Sequence, residues 1–178
     1  MRKNYVRLYE GLKIYRDATL LFIKACLEKA YEKDWWEKGV ERVFRKEDID
    51  ELKEQFNKRF SSSLGPKRPG TELYEILDIN YFSNVMEGNW KQAFAVSFNN
   101  DRTALAWLKE ITLYRNPTAH PETGDLSDDD TYRGLDTMER MLAGYDKDSA
   151  HEIAKIKNEL KKSWDYGESR PIHIKSWK

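Results

Sequence analysis

NYVRLYEGLKIYRDATLLFIKACLEKAYEK, residues 4–33, reads as one long helix, and that reading decides the fold class. Tyr5, Leu8, Tyr9, Leu12, Tyr15, Phe22, Cys26 and Tyr31 fall at helical spacing and form one apolar stripe. Arg7, Lys13, Arg16 and Lys24 lie mostly off it. The pair Trp35-Trp36 and Gly39 mark a turn after it. A second helix is predicted over 46–60, with Ile49, Leu52, Phe56 and Phe60 facing inward. Residues 61–70, with three serines, two glycines and two prolines, then break the pattern as the clearest loop in the chain.

Thr71 is the expected N-cap of a third helix through Leu73, Leu77 and Phe82 to Met86, with Gly88 interrupting and Trp90, Phe94 and Val96 continuing the pattern. Asp101 is expected to cap a fourth helix carrying Leu105, Leu108, Ile111 and Leu113 towards Arg115. Ser127 followed by three aspartates reads as a cap with first-turn carboxylates, opening a fifth helix through Tyr132, Leu135, Met138, Met141 and Leu142 to Gly144. Asp148 opens a sixth, basic helix with Ile153, Ile156 and Leu160 inside. The fold class is therefore all-α, a bundle of five to six helices occupying residues 1–165. Residues 166–178 form an extended tail or linker, because only there do Ile172 and Ile174 alternate. A tail ending in exposed Ile172, Ile174 and Trp177 implies cover by a following domain or a neighbouring copy.

Composition narrows the function. Lys plus Arg and Asp plus Glu are 31 each, so no global basic field advertises nucleic acid and any RNA contact must be local. Lys53, Lys58, Arg59, Lys67 and Arg68 are the candidate RNA-contacting run around the loop, with a solvated face as the competing explanation. The single cysteine, Cys26, cannot form an intramolecular disulfide, which fits a reducing cytoplasm. No stretch approaches the roughly 18 apolar residues of a membrane span. His151 and His173 lack ligand-spaced partners, so no metal site is expected. No Gly-rich phosphate loop and no Gly-x-Ser-x-Gly elbow occurs, which leaves no cofactor to assign. Trp35 and Trp36 offer base-stacking surface or, alternatively, packing surface.

The chemistry concentrates in Tyr114-Arg115-Asn116-Pro117-Thr118-Ala119-His120. Arginine grips two phosphate oxygens at any working pH, and histidine exchanges protons near neutrality. On a straight helix Arg115 and His120 would stand about 140° apart. Pro117 disfavours helical geometry at Asn116, so the helix is expected to kink or end near Arg115 and let both side chains face one site. RNA cleavage suits so small a set because the substrate supplies its own nucleophile, the 2′-hydroxyl. The competing reading makes His120 a helix-terminal carbonyl donor and Arg115 a partner of the acidic loop that follows.

This Arg-x4-His segment, with the polar Asn116 after the arginine, resembles the Arg-x4–6-His motif of the HEPN superfamily (higher eukaryotes and prokaryotes nucleotide-binding domain). Asp34-Trp35-Trp36, Asn89-Trp90-Lys91-Gln92-Ala93-Phe94 and the segment Ser127 to Arg140 resemble the branch at the N-terminus of large prokaryotic phage-defence ATPases. The likeness spans about residues 1 to 145. It implies an all-helical, metal-independent endoribonuclease module that dimerises so that two motifs share a cleft. It implies phosphate binding by Arg115, proton transfer by His120 and orientation by Asn116. The products would be a 2′,3′-cyclic phosphate and a 5′-hydroxyl. The alternative within the family is a catalytically inactive dimerisation or interaction module of a larger ATPase, binding nucleic acid or a partner protein.

Overall fold

A computed structural model describes residues 3–61, 73–119 and 126–167. Six α-helices occur among them: α1 (Asn4–Tyr31), α2 (Lys46–Ser61), α3 (Ile79–Gly88), α4 (Thr103–Ala119), α5 (Asp128–Ala143) and α6 (Lys147–Gly167). Short 3-10 and π turns join α1 to α2 and α3 to α4, and no strand occurs among the described residues. The chain is all-α, as the periodicity requires.

Helix α1 packs against α3, α4, α5 and α6, which makes it the axis of the bundle. Leu8, Leu12, Tyr15, Ile23 and Leu27 are buried along it, but so are the polar Asn4, Arg7 and Thr19. A helix with neighbours on several sides buries a wide arc, and the apolar stripe alone understates that arc. Arg7, expected off the stripe, is instead 4% exposed; it donates to Asn4 Oδ1 at 3.0 Å and faces Glu159 at 3.8 Å. Tyr9, expected on the stripe, is exposed, as are Val96 and Leu113.

The close approach of α1 and α5 needs glycine. A Cβ on Gly11 would stand 2.7 Å from Leu135 Cδ2, and one on Gly134 would stand 2.9 Å from Leu8 Cδ1. Both lie well inside van der Waals contact. Helix α6 then covers α5, burying Ile153, Ile156 and Leu160.

Caps place the elements, and they correct two expected starts. Ser127 Oγ accepts the Asp130 N–H at 3.1 Å, and the Thr103 N–H donates to Asp101 Oδ1 at 2.9 Å, both as the sequence predicts. The third helix, however, begins at Ile79, behind a single 3-10 turn at Leu73–Ile76; Asp78 caps it by accepting the Ile79 N–H at 2.7 Å. Thr71 lies outside the described residues. The sixth helix is capped by Asp146, whose carboxylate accepts from the Ser149 N–H at 3.0 Å and from its hydroxyl at 2.8 Å. Asp148 falls inside the first turn, where its charge suits the dipole. Helix α6 runs to Gly167, which takes the first two residues of the tail expected at 166–178 into the helix, and residues 168–178 lie outside the described residues.

Candidate functional site

Leu105, Leu108 and Ile111 bury one face of α4 against the bundle, which fixes the direction of its C-terminal turns. Arg115 emerges there with 38% of its side chain exposed. Its Nη2 pairs with Oδ2 of Asp78, the cap of α3, so the end of one helix is tied to the start of another.

Helix α4 does not end at Arg115. It continues through Asn116 and Pro117 to Ala119, which corrects the break expected at the proline. Pro117 lies in the last turn, where its missing N–H costs a single ladder bond, and the buried upstream face already anchors the helix. Asn116 therefore occupies a helical backbone position beside Arg115, and His120 lies outside the described residues.

The surroundings of Arg115 are acidic. Tyr81, in the first turn of α3, has its hydroxyl pKa pushed up by burial first, then by Glu51, Asp48 and Asp78, with Arg115 acting in the opposite direction. Tyr81 also meets Phe44 edge-on at 5.4 Å between ring centroids, which joins α3 to the segment before α2. One guanidinium thus stands against a carboxylate partner, with two more acids of α2 in electrostatic range of its neighbour.

The basic run is partly neutralised. Lys53 reaches Glu41 at 2.7 Å, and Lys58 pairs with Glu54 one turn away at 2.6 Å. The Arg59 side chain, Lys67 and Arg68 fall outside the described part of the structure. Trp35 and Trp36 meet edge-on at 5.7 Å, and Trp35 meets Tyr74 at 6.0 Å. Lys24 lies 4.4 Å above the Tyr74 ring, and Trp36 Nε1 donates to Glu41 at 3.0 Å. These rings pack on one another, and both tryptophans are half-buried.

His151 is exposed on α6, and His173 lies outside the described residues. Among the described residues no three His, Cys, Asp or Glu side chains gather as a potential metal site, and no helix is long and apolar enough to cross a membrane. Asp78 was not singled out from the sequence. Its signal was an aspartate directly before Ile79-Asn80-Tyr81-Phe82, a helix-start pattern overshadowed by Thr71.

With a helical bundle and a partly exposed arginine near the C-terminal end of α4, the chain belongs to the HEPN superfamily: residues 10–145 match the Swt1-like HEPN family. That membership supports an RNase-like or nucleotide-binding module of a kind that commonly dimerises. The match ends before α6, which begins at Lys147. No curated protein and no solved structure matches the chain.

Proposed function

We propose that this HEPN domain is a metal-independent endoribonuclease module acting in phage defence or stress response. The observation that carries the reading is the family match over 10–145, together with a partly exposed Arg115 where α4 leaves the core. In the proposed reaction the RNA 2′-oxygen attacks the adjacent phosphorus, and the P–O5′ bond breaks. His120 takes the proton from the 2′-hydroxyl or delivers one to the departing 5′-oxygen. Arg115 offsets the extra negative charge of the phosphorane, and Asn116 orients one of these groups. The products are a 2′,3′-cyclic phosphate and a 5′-hydroxyl.

One chain brings one Arg115 and one His120, a thin set for a dianionic transition state, so two chains are proposed to pool their motifs in a homodimer. Lys53, Lys58, Arg59, Lys67 and Arg68 are proposed to guide the RNA backbone. A covalently linked or docked ATPase in the cytoplasm is the proposed partner. The test is incubation of purified protein with mixed RNA in chelator. Wild type should cleave, and Arg115→Ala and His120→Ala should each lose at least about a hundredfold in rate with unchanged helical circular dichroism. Cleavage that needs added metal, or full activity in both variants, refutes the reading.

A second reading has its own observation. Arg115 already holds a carboxylate, and the acids around Tyr81 oppose an incoming phosphate. That arrangement favours a catalytically inactive dimerisation or interaction module of a larger ATPase. Wild-type protein that leaves RNA intact while still dimerising would select it.

A further inference from the structure

Arg115 has a long, rotatable stem, and a phosphate-binding arginine works only when its planar fork faces the reacting phosphate. Asp78 supplies what fixes that plane. Its Oδ1 is held by the Ile79 N–H at 2.7 Å, and its Oδ2 takes Arg115 Nη2. Asp78 is the extended residue (φ −97°, ψ 164°) that opens α3, and the cap bond ties its carboxylate to the helix start. Ile79 beside it is buried in the core. The guanidinium is therefore referenced to the bundle through a capped helix start rather than through a loop.

We propose that Asp78 is the positioning residue for Arg115, holding one edge of the guanidinium so that the arginine meets the scissile phosphate in a fixed orientation. This inference rests on the ribonuclease reading and deepens it. The carboxylate also places a negative charge near the substrate, so removing it should affect orientation and binding in opposite directions. Orientation is realised in the transition state and binding in the ground state, so the two separate kinetically.

The test compares wild type, Asp78→Asn, Asp78→Glu and Arg115→Ala on a short RNA in chelator. Asparagine caps a helix as well as aspartate does, so Asp78→Asn removes the charge and keeps the fold; its melting curve should stay close to wild type. Its kcat should fall by roughly ten- to a hundredfold while KM stays level or drops. Asp78→Glu, which restores the carboxylate, should recover part of kcat. An Asp78→Asn variant with wild-type or higher kcat overturns the proposal and makes the contact a competitor of substrate.

A second readout separates this failure from that of the ribonuclease reading. In nitrogen-15-labelled protein the Arg115 Nη signals should be distinct in wild type, from a guanidinium held on one edge, and averaged in Asp78→Asn. If wild type cleaves no RNA, the ribonuclease reading falls and the anchoring is judged on these signals alone. Signals identical in the two proteins overturn the anchoring as well.

Discussion

Replacing Asn89 by alanine should be among the most damaging single changes in this chain. Asn89 is fully buried at the turn after α3, and its amide is saturated. Nδ2 donates to the carbonyls of Gly39 and Val85, each at 2.7 Å. Oδ1 accepts from Tyr31 Oη at 2.8 Å and from Arg42 Nη2 at 3.1 Å. One side chain thus pins the end of α1, the turn after it and the end of α3. Truncation leaves two buried carbonyls without these donors, at about 1–3 kcal/mol each, and the two part-buried donors can turn to water at about 0.5 kcal/mol each. The sum is about 3–7 kcal/mol. At this chain length that lowers Tm by roughly 10–20 °C.

Urea denaturation followed by tryptophan fluorescence measures the loss. Tyr31→Phe alone should cost about 1 kcal/mol and should add little in the Asn89→Ala background, because its partner is already gone. An Asn89→Ala loss under about 1 kcal/mol, or full additivity with Tyr31→Phe, would refute the network argument.

Two further outcomes follow from the packing and from the proposed assembly. Burial raises the Asp136 carboxyl pKa, but the bonds from Lys157 at 2.8 Å and Arg140 at 2.7 Å outweigh that and hold it below the ordinary carboxylate value. A depressed folded pKa stabilises the protein above the unfolded value, and that stability is lost as pH falls below the unfolded value and through the folded one. Wild type should therefore weaken below about pH 4, and Lys157→Gln should weaken less steeply there; parallel stability curves refute the coupling. Light scattering at tens of micromolar should show a symmetric dimer, with the C-terminal turns of α4 near the two-fold axis. A strict monomer counts against the shared cleft.

The helices were legible where periodicity and caps agreed. The first helix was expected at 4–33 and runs Asn4–Tyr31; the second was expected at 46–60 and runs Lys46–Ser61. The misread burials share a cause. Counting apolar residues finds the period of a helix but not the width of what it buries. Tyr9 and Leu113 fit the stripes and are exposed, while Arg7, Gly11 and Thr19 are buried because α1 has a neighbour on nearly every side. The start of α3 was misplaced for a local reason. Thr71 and Asp78 are both good caps, and choosing between them required knowing that Leu73–Ile76 closes as an isolated turn.

The site was legible as a position and not as an environment. Arg115 at the end of α4 follows from the apolar spacing of Leu105, Leu108 and Ile111. Its partner Asp78 comes from a different helix start, and no local spacing rule encodes such a contact. Pro117 is expected to kink or end the helix near Arg115, and α4 runs on through it to Ala119. With α4 helical to Ala119, position 119 stands four residues past Arg115, about 40° from it around the axis, on nearly the same face. The helix thus carries the backbone from Arg115 to Ala119 unbroken, and the direction of Arg115 is set by the buried face of Leu105, Leu108 and Ile111 together with its pairing to Asp78.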